Sequence, residues 1–190
     1  MRLRDSAAGW GWGTRAIHWT MAALILFQLG FGLYVAQALR DDLIARFTLT
    51  QTHKSWGTVI FALALVRVAW RLANPARPPL PPMPAWQARA ARLSHLLLYL
   101  LMLLMPLSGW LLASASPVQD LLQMQNLVFG RLPLPDPFVP GSERLEAALH
   151  LVHTSTAVAL ALLLALHIAA ALRHQFLDRD HLLARMLWRP

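Results

Sequence analysis

Two histidines, His153 and His167, lie fourteen residues apart inside one uncharged, apolar segment of the chain. In an α-helix this spacing corresponds to about 21 Å along the axis. Because fourteen residues complete nearly four turns, both imidazoles should project from nearly the same face. His18 and His53 stand near the starts of the first and second apolar segments. Histidines inside a membrane are costly and usually functional, so the pattern predicts two metal centres stacked across a bilayer.

Four long apolar segments predict that the chain crosses a membrane four times. Of the 190 residues, 57% are hydrophobic and 14% are charged, whereas soluble domains carry about 25% charged residues. Three segments contain no Asp, Glu, Lys or Arg over 24, 27 and 26 residues. The fourth carries Lys54 and Arg67 near its ends, where long side chains reach the headgroups. A span needs about 20 residues, and a helix satisfies its backbone in hydrocarbon.

The predicted fold is therefore all-α, a four-helix transmembrane bundle that forms a single domain over residues 1–190. Helices are expected at about 14–39, 49–73, 87–113 and 142–177, the last with Ser142 as its cap. A short surface helix is predicted within 118–129, and the prolines that follow it predict irregular backbone. The tail is predicted to be amphipathic, with these residues against lipid: Leu182, Leu183, Met186, Leu187 and Trp188.

The basic residues are distributed unevenly between the two ends of the predicted bundle. The formal net charge is +8, and twelve basic residues lie before helix 1, around the link between helices 2 and 3, or in the tail. By the positive-inside rule both termini are therefore predicted to be cytoplasmic. Since topology accounts for this charge, it does not indicate a nucleic-acid partner. The chain has no cysteine, which excludes disulfides, thiolate ligands, iron–sulfur clusters and covalently attached haem.

Alternating helix directions sort the four histidines into two layers. His18 and His167 are expected near the cytoplasmic face, and His53 and His153 near the external face. Each layer takes its two imidazoles from different helices, as a ligand held between helices requires. Bis-imidazole ligation of a non-covalent porphyrin needs no cysteine, and an apolar bundle can hold the macrocycle. The layers therefore predict two haem b groups. Taken alone, His53, His153 or His167 could instead be a core residue satisfied by a neighbour, and His18 an interfacial histidine.

Glycines and arginines are predicted to complete these sites. Small residues should line a pocket where backbone approaches the porphyrin, and four glycines fall toward the external layer: Gly30, Gly32, Gly57 and Gly109. On the cytoplasmic side, Arg67 and Arg71 are candidates for binding haem propionates or a quinone headgroup. The positive-inside rule alone explains these two arginines equally well.

Four further histidines leave alternatives open. His95 could replace His18 or His167 as a ligand, contact a propionate or line a substrate site, and His150 could compete for the external haem. His150 and His153 also form a His-x-x-His pair, but carboxylate or thiolate partners for zinc are missing at that depth. His174 is a candidate proton donor to a quinone or a solvated helix terminus, and His181 belongs to the tail.

Several short motifs occur in an order and spacing that point to one family. They are Arg15–Trp19, Thr52–Gly57, Arg67–Arg71, the proline-rich stretch from Asn74, His95 with the following Leu-Leu-Leu-Tyr, Pro106–Gly109 and Phe129–Gly130, with His153 and His167. Over almost its whole length the chain thus resembles the bacterial and archaeal-type cytochrome b561 proteins. These share a bundle with the b subunits of hydrogenases and formate dehydrogenases.

The resemblance implies a protein of the bacterial inner membrane in which His18, His53, His153 and His167 bind two b haems. It also implies transmembrane electron transfer with ubiquinone as one partner. Some members resemble superoxide oxidases, and Lys54, beside His53, would then supply positive charge that attracts superoxide to the external haem. His150 departs from the family pattern.

Three functions are compared on this basis. The first is a stand-alone oxidoreductase, a dihaem protein that passes electrons, with superoxide as a candidate donor, from the external haem to ubiquinone on the cytoplasmic side. The alternative is an anchor subunit that relays electrons between quinone and a partner dehydrogenase or hydrogenase. A third reading, a transporter with histidines as proton relays, predicts a colourless protein.

Overall fold

The computed structural model describes residues 2–7, 9–37, 42–79, 81–121 and 123–187. The elements in these ranges, in chain order, are α1 (Trp12–Gln37), α2 (Leu43–Ala73), α3 (Ala85–Ser114), α4 (Pro117–Leu121), β1 (Leu127–Val128), β2 (Leu132–Pro133), α5 (Glu143–Phe176) and α6 (Leu182–Leu187). Helices α1, α2, α3 and α5 are long and apolar enough to cross a membrane. This confirms the predicted four-helix transmembrane bundle. Three residues used in the sequence analysis lie outside the described ranges: position 39 at the expected end of helix 1, Trp188, and Arg189 among the basic residues of the tail.

The long helices pack as two pairs joined through their inner members. Helix α1 packs along α2, α3 along α5, and α2 along α3. Within the described ranges α5 packs mainly on α3 and much less on α1 or α2. Met21, Ile60, Ala64 and Met102 form a buried cluster of α1, α2 and α3. We call the end at which α1 and α3 begin the terminal end, and the opposite end, which carries β1 and β2, the hairpin end.

The segment before α1 folds over the start of that helix and supplies hydrogen-bond acceptors for its free backbone amides. The Trp12 and Gly13 amides donate to the carbonyls of Arg2 and Leu3, each at 3.2 Å. The buried Asp5 carboxylate accepts from the Gly11 amide at 2.7 Å and from Thr14 Oγ1 at 2.9 Å. These bonds satisfy donors that the first turn of any helix leaves without a partner inside the helix.

Gly11→Ala is expected to loosen this segment. A Cβ at position 11 would overlap the Leu3 carbonyl oxygen and lie 2.6 Å from the Arg4 carbonyl carbon, both backbone atoms. We expect the free energy of unfolding to fall by about 1–3 kcal/mol, the usual cost of overpacking. Gly9→Ala is the control, because a Cβ at position 9 meets nothing within 4 Å. Equal thermal midpoints for the two variants in detergent would contradict the expectation.

The second helix begins six residues earlier than the sequence predicted, at Leu43 and not at 49. Asp42 caps it, and its side chain accepts from the Ala45 amide at 2.9 Å. The first turns contain polar residues such as Thr48 and Thr50, whose hydroxyls donate to carbonyls one turn earlier. The predicted start was wrong because hydropathy marks only the apolar part of a helix, whereas the cap sets its first residue.

The segment between α3 and α5 also differs from its prediction. The helix predicted within 118–129 is limited to α4, which ends at Leu121. Gln123 and Phe129 each have φ of 50°, a left-handed conformation that a right-handed helix excludes. The prediction of irregular backbone at the prolines is wrong at Pro133, which pairs with Leu127 in the two-stranded hairpin. A proline is compatible with an edge strand because the ladder there does not need its donor.

The tail packs against the bundle at the terminal end. The Trp19 indole donates to the Met186 carbonyl at 3.1 Å, and the Arg185 guanidinium donates to the Pro79 carbonyl at 2.9 Å. Leu182 and Leu183 are half-buried in the protein itself. Contact of the apolar tail residues with lipid stays a prediction, and the structure adds that α6 has partners on α1 and on the proline-rich link. Ser142 holds the N-cap position of α5 as predicted, although its side chain makes no capping bond.

Candidate functional sites

The structure brings the four histidines together in the two predicted pairs. At the hairpin end, His53 of α2 faces His153 of α5, with ring centroids 6.4 Å apart and planes at 89°. Nearer the terminal end, His18 of α1 faces His167 of α5, again with centroids 6.4 Å apart and planes at 59°. Each pair thus joins α5 to a helix other than α3, its main neighbour.

The distance within each pair fits two imidazoles on opposite sides of one metal ion. A metal–imidazole bond of about 2 Å and a distance of about 1.2 Å from nitrogen to ring centre would place the two centroids about 6.4 Å apart. Both observed distances, 6.4 Å, agree with this value. The centroids of His95 and His167 are only 5.5 Å apart, which is too short for the same arrangement. The geometry thus favours His18 over His95 as the partner of His167.

The imidazoles at the hairpin end rest directly on glycines of neighbouring helices. A Cβ at Gly32 would lie 2.8 Å from Cε1 of His53, and a Cβ at Gly109 would lie 2.9 Å from Cε1 of His153. Only a residue without a side chain lets the backbone approach the rings so closely. Of the other glycines predicted to line the site, Gly57 is near Gln28, and Gly30 meets nothing within 4 Å.

Hydrogen bonds indicate which nitrogen of His153 is free. The Ser108 hydroxyl donates to the Met105 carbonyl at 2.9 Å, so its oxygen accepts from Nδ1 of His153 at 3.0 Å. This assignment puts the proton on Nδ1 and leaves the lone pair on Nε2, the usual arrangement for a metal-binding histidine. Nδ1 of His53 is buried without a partner in the described chain. The pair at the hairpin end therefore fits a bis-imidazole metal centre.

The pair near the terminal end fits with one condition. Nη2 of Arg67 lies 3.1 Å from Nδ1 of His18, and a guanidinium only donates hydrogen bonds. In this arrangement a neutral His18 carries its proton on Nε2, so metal binding at Nε2 requires Arg67 to release Nδ1. A haem propionate would offer Arg67 another acceptor. Its guanidinium already lies over the Tyr99 ring, 5.4 Å from the centroid.

Two other predicted residues have simpler surroundings. Nη1 of Arg71 donates to the Asn74 carbonyl at 3.4 Å at the end of α2, a contact that stabilises the helix terminus. His150 is exposed one turn before His153. Among the residues that the structure describes, no group of three or more histidine or carboxylate side chains is arranged to hold a metal ion.

Lys54 lies beside His53 at the hairpin end and is half-buried. Within the described ranges its ammonium has no hydrogen bond or ion pair shorter than 4 Å. The acidic neighbour of Lys54 is Asp136, whose carboxylate accepts hydrogen bonds from the side-chain amides of Gln119 and Asn126. Those two bonds hold Asp136 within the segment between α3 and α5. Next to Lys54, the Ser55 hydroxyl accepts from the Phe129 amide at 2.8 Å and so attaches the hairpin to α2.

His174 is held by carboxylates at the terminal end. Its Nδ1 lies 2.6 Å from Oδ2 of Asp180 and 3.4 Å from Oδ2 of Asp178. The side chain of His174 is only 18% exposed, so the interpretation as a freely solvated terminus does not hold. A cavity of about 210 Å³ opens beside it, lined by Pro82, Met83, Pro84, Gln87, His174, Asp178 and Asp180.

The sequence analysis missed three polar residues of these sites. Ser108 and Ser55 are isolated serines in apolar helices, and Asp180 lies in the tail. Ser108 belongs to the Pro106–Gly109 motif and Ser55 to the Thr52–Gly57 motif, which were the available signals. Nothing in the local pattern distinguished Asp180, because its contact with His174 is made only through the turn after α5.

Comparison with known proteins agrees with this geometry. No curated protein sequence matches the chain. The family model described as prokaryotic cytochrome b561 matches residues 9–189, which is nearly the whole chain. The four apolar helices and the facing histidines of this chain are consistent with that match. The chain therefore belongs to the prokaryotic cytochrome b561 family and is a multi-pass bacterial membrane protein that binds haem b and transfers electrons.

Proposed function

We propose that this protein is an inner-membrane oxidoreductase that carries electrons through two haem b groups to ubiquinone, with superoxide as the electron donor. The observation that supports it most directly is the repetition of one distance, 6.4 Å, in two histidine pairs on different helices. A single haem would need only one such pair. The terminal end is taken as cytoplasmic because most basic residues lie there.

Four histidines would hold the two cofactors. His53 and His153 would ligate the haem at the hairpin end, and His18 and His167 the haem near the terminal end. Since His153 and His167 are fourteen residues apart on α5, the two layers are separated by about 21 Å along the helix. Bound haem supplies the one-electron chemistry, while the chain sets position, solvent exposure and hydrogen bonds.

The terminal end offers a place for the quinone. A cavity of about 150 Å³ can hold a benzene ring, so the cavity of about 210 Å³ beside His174 has room for a substituted quinone ring. His174 would exchange protons with the quinone. Arg67 would bind a haem propionate, His95 would line the route between the haem and the cavity, and Arg71 would add positive charge to this end.

The hairpin end would receive superoxide. Lys54 directly follows His53, a proposed ligand, and its ammonium forms no ion pair with the residues that the structure describes. Asp136, its acidic neighbour, is engaged by two side-chain amides. A positive charge at this position raises the local concentration of a small anion.

Lys54→Met is therefore expected to slow the reaction with superoxide. The second-order rate constant should fall about tenfold at low salt, within the range known for electrostatic steering, and the difference should shrink as salt rises. Arg46→Met is the matched control, because it removes one positive charge from the same helix two turns earlier. Equal rate constants for the two variants would contradict a local role for Lys54.

Superoxide-driven reduction of a ubiquinone by the purified protein tests the proposal as a whole. Xanthine oxidase would generate superoxide, and quinol formation would be followed in vesicles that contain the protein. We expect quinol to form at a rate that depends on the protein and is abolished by superoxide dismutase. Absence of quinol, together with co-purification of a peripheral redox subunit, would favour the anchor-subunit function.

A further inference from the structure

We infer that Asp180 is a positioning residue for quinone reduction, holding the His174 imidazole so that Nε2 transfers a proton at the cavity. This inference rests on the proposed function and adds a residue to it. Reduction of a quinone to a quinol takes up two electrons and two protons. The electrons come from the reductant that loads the haems, and His174 supplies protons that it regains from water.

The contact between the two residues determines which nitrogen is available. The Asp180 carboxylate only accepts hydrogen bonds, so the proton on Nδ1 of His174 must point at Oδ2, 2.6 Å away. The free nitrogen of this cavity-lining ring is therefore Nε2. The same carboxylate stabilises the positive charge that the imidazole carries before it donates a proton, as in a catalytic triad.

The fold holds Asp180 in place from both sides. Its Oδ1 accepts from the Leu182 amide at 3.2 Å at the start of α6, and its own amide donates to the His174 carbonyl at 3.2 Å. Arg179 and His181, on either side, have φ of 56° and 60°. The two left-handed residues reverse the chain after α5, so that the Asp180 carboxylate reaches Nδ1 of His174.

The other charged groups around His174 are weaker candidates. Oδ2 of Asp178 lies 3.4 Å from Nδ1, beyond a good hydrogen bond, and 3.4 Å from Nε of Arg173. Asp178 is therefore shared with an exposed guanidinium, whereas Asp180 is committed to the imidazole. This difference makes Asp178 the natural control position.

The test compares Asp180→Asn with Asp178→Asn in the haem-loaded protein. Both variants remove one negative charge from the cavity, and asparagine keeps the cap on α6. At position 180 the asparagine amide can donate a hydrogen bond to Nδ1 of His174, where the carboxylate could only accept one. A neutral imidazole would then carry its proton on Nε2. The substitution also removes the carboxylate that stabilises the charged imidazole. The protein would be reduced anaerobically and mixed with decyl-tailed ubiquinone, and haem reoxidation would be followed by absorbance.

In Asp180→Asn we expect the limiting rate to fall about tenfold to a hundredfold, at the lower end of general acid–base effects. The half-saturating quinone concentration should change less than about threefold, because a neutral Nε2–H still donates a hydrogen bond. Asp178→Asn changes the same cavity wall but leaves the 2.6 Å contact between Asp180 and Nδ1 in place, so its limiting rate should fall less than that of Asp180→Asn. The visible spectrum of the oxidised haems should be the same in all three proteins.

A double-mutant cycle separates positioning from structural support. Since Asp180 acts through the imidazole, Asp180→Asn should have almost no further effect in a His174→Gln background. Equal limiting rates for Asp180→Asn and Asp178→Asn, or additive losses in the cycle, would overturn the inference while leaving quinone reduction intact. Wild-type protein whose reduced haems do not react with the quinone would instead refute the proposed function itself.

Discussion

His153→Ala is expected to lower the haem content of the purified protein from two groups per chain to one. The remaining haem would be held by His18 and His167, which lie on the other side of the Met21 cluster. Because one imidazole of a facing pair is removed, the iron at the hairpin end loses half of its axial ligation. His167→Ala should likewise leave one haem, held by His53 and His153. Pyridine-haemochrome absorbance per chain measures both outcomes.

Two neighbouring histidines serve as controls for this experiment. His150 is exposed one turn before His153, and the centroid of His95 is too close to that of His167 for both to be axial ligands of one iron. His150→Ala and His95→Ala should therefore retain two haems. Loss of a haem in either of them, with none lost in His153→Ala or His18→Ala respectively, would transfer the ligand role to the control residue.

Misfolding is distinguished from ligand loss by chemical rescue. His153→Gly leaves a space beside Gly109 that free imidazole can enter. Imidazole in the buffer should restore the second haem and its reduced absorbance bands if His153 acts as a ligand. A variant that has simply misfolded would not respond to imidazole.

Gly109→Ala and Gly32→Ala are expected to weaken binding of the haem at the hairpin end, although neither substitution replaces a proposed ligand. The added methyl groups would lie 2.9 and 2.8 Å from the rings of His153 and His53. A ring that is bonded to iron cannot move away freely, so the overpacking should weaken the free energy of haem binding by about 1–3 kcal/mol. That cost corresponds to about a fivefold to 150-fold weaker haem affinity.

Gly30→Ala is the matched control for Gly32→Ala. It adds the same methyl group to the same helix two residues earlier, where nothing lies within 4 Å. Transfer of haem to apomyoglobin would measure the loss from each variant. Similar transfer from Gly30→Ala and Gly32→Ala would show that the contact between glycine and imidazole has no special part in haem binding.

The pairing of the histidines is the part of the site that sequence reasoning predicted best. Four apolar segments with alternating directions leave His18 beside His167 and His53 beside His153, and the structure brings these rings together. The argument needed only the helix repeat and the order of the segments. It could not distinguish His18 from His95, because the two have similar depths and only the ring distances separate them.

The loops were predicted less well than the helices. The segment between α3 and α5 was expected to be helical up to Phe129. It instead turns at Gln123 and forms a hairpin that is hydrogen-bonded to Ser55. The tail was expected to be amphipathic, but its hydrogen bonds to Trp19 and to the proline-rich link were not foreseen. In both segments the decisive partners are distant in sequence, so local propensity carries little information about them.

The sequence by itself determined the four spans, the depth of each histidine and the absence of thiol chemistry, because hydrophobic length, helix rise and residue type are local properties. Tertiary structure alone decided which atoms meet: glycines 32 and 109 behind the imidazoles, Ser108 on Nδ1 of His153, Arg67 on His18 and Asp180 under His174. Such contacts depend on the lateral packing and rotation of whole helices, and small changes in either would create different partners from the same pattern of residues.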